Sequence, residues 1–292
     1  MTSAGVLFLI ATAIWGSTWL AIKLQLGVVA PEASVTYRFA LAALVLGVAC
    51  AARGRSLAFP ARTHAWMAAQ GATFFGLNYI GVYIAERHVA SGLVAVVFTT
   101  IVFMTPLGMR IAFGTPIAPR VVLGAALGVV GVAMLFLPEL RGARDDVETL
   151  LGIGYAFGAT MIAAIGNLIT MRLQREQVPV FTGTAWGMAY GALTAAVCAT
   201  LAGVAWTFDA RLPYIGSLAY LVVLGSVVAF GAYFLLLRQV GPALASFVGV
   251  STPVVAMVLS SLFEGYHWTG AAAMGVVLAV AGNVLALRGR QR

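Results

Sequence analysis

Charge is what this chain lacks. Only 9% of its 292 residues are Asp, Glu, Lys or Arg, against about 25% in soluble domains. With 62% of residues apolar, a water-soluble fold of this length could not hide so much apolar surface. Most side chains must face lipid or other membrane helices. Cysteine is nearly absent. Cys50 and Cys198 both lie inside apolar runs, which leaves no disulfide framework and no thiolate metal site, only small packing residues. The three histidines, His64, His88 and His267, fall at span ends. Gly-rich phosphate loops, Cys/His clusters with metal spacing and paired acids are all missing. No enzyme, cofactor or metal site is therefore expected. The net charge of +8 does not point to nucleic acid, because the basic residues sit in short connectors and not along one face. The first apolar run, 5–22, has no charged n-region and no convincing cleavage site. It reads as a retained span and not a signal peptide.

Acids are scarcest within the apolar runs. No Asp or Glu falls mid-span, and Glu86 stands at a span end, read as a solvated edge. Proton- or cation-driven antiporters normally use a membrane carboxylate. A passive or weakly coupled carrier is the expectation.

What is present is a series of apolar segments near 20 residues long, the length a bilayer requires. Ten qualify: 4–23, 32–52, 64–85, 89–111, 119–137, 150–172, 179–203, 213–237, 242–263 and 268–287. Turn or charge signals such as Arg53-Gly54-Arg55, Gly114-Thr115-Pro116 and Gly241-Pro242 separate them. The longest and most charged break, Pro138–Thr149, falls between the fifth and sixth. The reading is an all-α integral membrane protein with ten transmembrane helices.

The chain also repeats itself. A shift of 151 positions lays Arg87–Leu135 on Arg238–Ala286 without gaps, aligning Gly114, Gly124 and Gly131 with Gly265, Gly275 and Gly282. Duplication in an apolar chain is the mark of a transporter built from two halves. The halves are 1–138 and 150–292, with 139–149 as linker. Five spans per half is an odd number, so the second half enters the membrane from the opposite side. The repeats are inverted, with a solute site near the midplane between them.

Placing the N-terminus in the cytoplasm puts Arg53, Arg55, Arg62, Arg110, Arg120, Arg172, Arg175, Arg238, Arg288, Arg290 and Arg292 on that side. Lys23, Arg87, Arg141, Arg144 and Arg211 fall opposite. The excess places both termini on the cytoplasmic side of a bacterial inner membrane.

The first span carries Ala13-Ile14-Trp15-Gly16-Ser17-Thr18-Trp19 and then Lys23. The second carries Tyr37-Arg38-Phe39-Ala40-Leu41-Ala42, and Gly114, Gly124 and Gly131 close the first half. Gly166-Asn167 and Arg172 form a weaker copy in the sixth span. In these residues the chain resembles the drug/metabolite transporter superfamily, in its ten-helix EamA-type branch, and most the YddG-type exporters. That resemblance implies export of aromatic and other amino acids. The pattern departs in the second half, where no Arg-Phe pair follows Pro179.

Candidate substrate-binding residues are the polar and aromatic groups inside spans. Arg38 lies about six residues, or ~9 Å, into its span. A guanidinium there either snorkels outward or faces a wet cavity, where it can bind a carboxylate. Asn78 and Asn167 are amides that lipid would leave unsatisfied. Tyr79 with Tyr83, and Trp186 with Tyr190, stand four apart on single helix faces. Trp15, Ser17, Thr99 and Ser251 complete the set. Hydrogen-bonding groups suit the charged ends of a zwitterion, and rings suit an apolar side chain and an ammonium. Pro106 and Pro253 should kink the fourth and ninth spans. The expected partners are amino acids and membrane lipids, with a monomer sufficient. The rival readings are a carrier of other small metabolites or amphipathic drugs, and a membrane scaffold with a closed centre.

Overall fold

The computed structural model describes residues 3–114, 116–142, 147–245 and 247–287. Thr115, residues 143–146 and Arg288, Arg290 and Arg292 lie outside them, as do the side chains of Arg141 and Arg238. Every regular element among the described residues is helical. The first half runs α1 (Ser3–Lys23), α2 (Pro31–Ala51), α3 (Ala61–Gln70), a π-helical segment (Gly71–Leu77), α4 (Asn78–His88), α5 (Ser91–Phe98), α6 (Ile101–Phe113) and α7 (Pro119–Gly142). The second runs α8 (Val147–Arg175), α9 (Val180–Leu201), α10 (Leu212–Tyr220), a π-helical segment (Leu221–Val228), α11 (Ala229–Ala245), α12 (Phe247–Phe263) and α13 (Gly270–Leu287). Joined through the π segments, and through Thr99-Thr100 between α5 and α6, these make ten spans, five in each half. Six are long and apolar enough to cross a membrane, and 119–135, 247–263 and 270–286 are shorter apolar helices. The remaining span, 61–88, is the most polar.

Some boundaries differ from the sequence reading. The charged stretch Pro138–Thr149 is helical up to Gly142 and again from Val147. Gly241-Pro242 is not a break: α11 continues to Ala245. Pro242 stands one turn from that end, where a missing N–H costs a single backbone bond. The fourth span is interrupted at Thr99-Thr100, before Pro106. There the Thr99 and Thr100 hydroxyls donate to the carbonyls of Val96 and Val97, each at 2.7 Å, taking acceptors that would continue the α-helix.

Packing follows one symmetric rule. The second span lies on the seventh, the fifth on the tenth, and the fourth crosses the ninth. The first touches the eighth and ninth, as the sixth touches the third and fourth. Exchanging the halves leaves these pairings unchanged. The backbone repeats the pattern. Positive φ occurs at Gly27, Gly54 and Gly114, and at Gln177, Gly203 and Gly265 in the corresponding turns. The two π segments also coincide under the 151 shift.

Glycine matters most where α7 meets α13. Gly124 faces Gly282, and Gly131 faces Gly275, two contacts that the exchange of halves interconverts. A Cβ on Gly124 would sit 2.5 Å from the Gly282 carbonyl oxygen, and one on Gly131 would sit 2.6 Å from that of Gly275. Both obstacles are backbone, so neither can swing aside. Gly131→Val should therefore cost about 1–3 kcal/mol by overpacking. A thermal melt in detergent would read it as a clear drop in midpoint.

Outward-facing Leu44, Ile111, Leu201 and Leu212 are 62–83% exposed, as a lipid-facing surface requires. Inside, α2, the first π segment, α4, α5 and α9 enclose the core through Phe39, Phe75, Tyr83, Leu93 and Met188.

Candidate functional site

Where the two halves meet, a cavity of about 260 Å³ remains. Its walls come from equivalent positions of both halves. Phe74, Phe75, Tyr79, Phe98 and Ile101 line one side; Gly225, Ser226, Phe230, Gly249 and Thr252 line the other. Each pair is related by the 151 shift, so the cavity straddles the two-fold axis. The backbone is symmetric but the chemistry is not: bulky rings face glycines and hydroxyls.

The π segments build this wall. A π turn widens the helix and frees a carbonyl. In the first segment the freed group is Phe74 O, which accepts from Asn78 Nδ2 at 3.0 Å. In the second it is the equivalent Gly225 O, which accepts from Trp15 Nε1 at 3.1 Å. Ser226 donates to Leu221 O, five residues back, at 2.9 Å.

Among the described residues, Arg38 is the only charged one in the lining. It is 3% exposed. Its guanidinium lies 4.6 Å from the Tyr79 ring centroid and 5.0 Å from that of Phe39. Cation–π attraction of up to about 2 kcal/mol holds it there when desolvated. Among the described residues, its Nε and Nη1 find no hydrogen-bond acceptor. Two of its donors are thus unpartnered beside an aromatic cavity, where a buried cation calls for an anionic partner.

Trp15, Arg38, Tyr79 and Thr99 line the cavity, as do Thr18, Trp19 and Phe98 beside them. The other candidates do not. Ser17 shares a 2.6 Å hydrogen bond with Tyr220 and so ties the first span to the eighth. Asn78 Nδ2 donates within its own helix, and its buried Oδ1 finds no partner among the described residues. Tyr83 is fully buried and donates to Gln25 Oε1 at 2.6 Å. Asn167 and Ser251 are half-buried outside the lining, although Gly249 and Thr252 flank Ser251 within it. Trp186 donates to Leu57 O at 2.9 Å, and Tyr190 meets His64 Nδ1 at 3.1 Å. That pair braces the end of the bundle that holds Arg53. The sequence reading missed Phe74, Phe75, Gly225 and Phe230. The two π segments share no residue under the 151 shift, so the sequence carried no signal for them.

The opposite end, holding Lys23, is shut. Lys23 Nζ donates to the Glu86 carbonyl, and to Val89 O at 3.3 Å. Glu264 accepts from Ser91 Oγ at 2.6 Å, from Ser91 N and from Ser260 Oγ, tying the ninth span to the start of α5. Ser260 Oγ also accepts from Gly92 N at 2.8 Å. Toward the Arg53 end, α6 packs mainly on α8. Glu86 corrects the sequence reading: it is fully buried and not a solvated edge. The four spans converging on it exclude water from what composition presents as a helix end.

The profile of the EamA-like transporter family matches residues 2–137 and again 150–288. The chain is 29% identical to the "Uncharacterized inner membrane transporter YedA" of Escherichia coli K12, over 93% of this chain and 89% of that protein. It is 22% identical to "Protein PagO" of Salmonella typhimurium, over 99% and 94%. It is 23% identical to the "Uncharacterized transporter YoaV" of Bacillus subtilis, over 84% and 83%. A solved crystal structure shares the fold over the full length of both chains, with a TM-score of 0.67 at 21% identity. A duplicated helical membrane fold around a central cavity, matched twice by one family, makes this a membrane transporter, and the chain belongs to the EamA-like transporter family.

Proposed function

We propose that the protein exports amino acids, aromatic and other neutral ones, by alternating access through the central cavity. The observation that carries this reading is the pair of unpartnered guanidinium donors of Arg38 inside an aromatic wall. A carboxylate on Arg38 would place the solute's apolar side chain against Trp19, Tyr79 and Phe98. Ring faces also attract its ammonium. The volume of about 260 Å³ lies below the roughly 300–1,000 Å³ of common ligand pockets, so it suits one small solute. The positive charge of Arg38 disfavours cationic drugs. Export as the direction rests on the resemblance to the YddG-type exporters.

The excess of Arg at the Arg53 end supports placing that end, with both termini, in the cytoplasm. Reporter fusions at the two tips read this directly. The shut Lys23 end is then outward, and the cavity faces inward. Rocking of the halves about the midplane would open it to the other side.

Counterflow of labelled amino acids in liposomes tests the reading, against nucleosides and cationic dyes as competitors. Tyr79→Ala should raise KM about tenfold, since it removes both ring contact and the face on which Arg38 rests. Trp186→Ala should leave KM within about twofold and lower the melting temperature instead, because it orphans the Leu57 carbonyl. Equal KM effects from both would contradict the placement of the site.

A further inference from the structure

We propose that one anionic phospholipid binds in a groove at the Arg53 end of the bundle, with its phosphate on Arg53 and Arg55 and an acyl chain between α2 and α11. The groove holds about 440 Å³, within the roughly 300–1,000 Å³ of common ligand pockets. It shares no lining residue with the central cavity. Leu46 and Cys50 of α2 form one wall and Phe181 of α9 another. Val227, Gly231 and Leu235, spaced four apart along the second π segment and α11, form the third.

The charge in this groove is all of one sign and has no protein counterpart. Among the described residues, Arg53 and Arg55 are the only charged ones in the lining. Both are exposed, and neither forms an ion pair within the described chain. The Arg55 guanidinium lies 4.9 Å from the Phe181 ring centroid, which holds it against the groove wall. Arg53 spends one N–H on Ala49 O, at 3.2 Å. The acid at this end, Glu176, is paired with Arg172. Two guanidinium forks therefore remain for an outside anion, and such forks match phosphate oxygens.

The apolar part of the groove opens to lipid. Leu235 in its wall is exposed, as are Val45 and Val228, chain neighbours of Leu46 and Val227. Exposed apolar side chains on spanning helices face acyl chains. From Leu46 to Arg53 the wall rises seven residues, about 10 Å, and α11 rises alongside it. Cations at the water end and apolar walls below them follow the order of a phospholipid standing in its leaflet. A water-filled vestibule would carry polar groups along its length. Basic pockets between spanning helices are of the kind that hold anionic headgroups.

Only one end of the bundle has this groove. Under the 151 shift Val204 and Trp206 stand where Arg53 and Arg55 do, and Ile80 stands where Gly231 does. A Cβ built on Gly231 meets nothing within 4 Å, so a side chain there would enter the open space. The walls come from α2 of one half and from α9 and α11 of the other. An occupant touches both halves and stabilises their present arrangement.

The test uses the purified full chain in a neutral detergent, with added dioleoyl phosphatidylglycerol or dioleoyl phosphatidylcholine. Native mass spectrometry should show one phosphatidylglycerol retained per chain, and the melting midpoint should rise by a few degrees. Phosphatidylcholine should do neither. Arg53→Gln combined with Arg55→Gln should weaken the phosphatidylglycerol affinity roughly 30-fold. Gly231→Leu keeps both arginines and should also abolish retention, because it fills the groove. Arg62→Gln, at another exposed arginine of the same end, should change nothing. Equal retention of both lipids overturns the proposal. So does a loss from Arg62→Gln as large as that from the pair, which would mean diffuse surface charge. Full competition by soluble glycerol phosphate also overturns it, in favour of a site for a free anion. Should Gly231→Leu fail to fold, the exposed arginine pair decides alone.

Discussion

Arg38→Gln should lower amino acid counterflow about 10- to 100-fold while the protein still inserts and melts near the wild-type temperature. The size follows from the charged hydrogen bonds it removes, about 1.5–3 kcal/mol in a buried site. The fold should tolerate the change, because Arg38 has two unsatisfied donors, and a neutral amide removes a buried charge that is costly to keep. Arg38→Lys should fall between, since an ammonium keeps the charge but cannot offer a planar fork or lie flat on Tyr79. Transport at wild-type rate in the Gln variant would show that the guanidinium does not touch solute.

The second large effect is expected at Gly249. It lines the cavity, and a Cβ built on it meets nothing within 4 Å. Gly249→Phe should therefore fill the space with a ring at little structural cost and reduce transport at least tenfold. Its melting temperature should stay within about 2 °C of wild type. Gly131→Val is the useful contrast. It lies at the α7–α13 contact, away from the lining, and should lose stability first. A Gly249→Phe protein that transports normally would put the solute pathway elsewhere.

How much of this was legible in the sequence depends on the kind of signal. Ten apolar stretches announce ten spans because bilayer thickness sets one length for all. The 151-residue echo announces two halves for the same kind of reason: packing glycines such as Gly124 and Gly275 must recur where the same close approach recurs. Arg38 stood out as the only charge deep inside a span. What the residues could not show is the rotation of each helix. In a span apolar on all sides, periodicity does not mark the inner face. Trp186 and Tyr190 therefore looked as suited to the cavity as Phe74 and Phe75, yet they bind Leu57 and His64 at the Arg53 end. The π segments leave no compositional trace either, although they set Gly225 and Ser226 against Trp15. Glu86 misled for a third reason. A helix end is wet only when no neighbour covers it, and here α4 is packed by α1, α2, α5 and α8, with Lys23 bound to the Glu86 carbonyl.

The central claim is that one solute at a time passes through the space between the inverted halves. Counterflow by the purified protein, with labelled phenylalanine outside and unlabelled amino acid trapped within, tests it most directly. Saturable exchange that Gly249→Phe removes and Gly249→Ala preserves is the result this structure requires. No exchange with any amino acid, or exchange that survives a filled cavity, would contradict it.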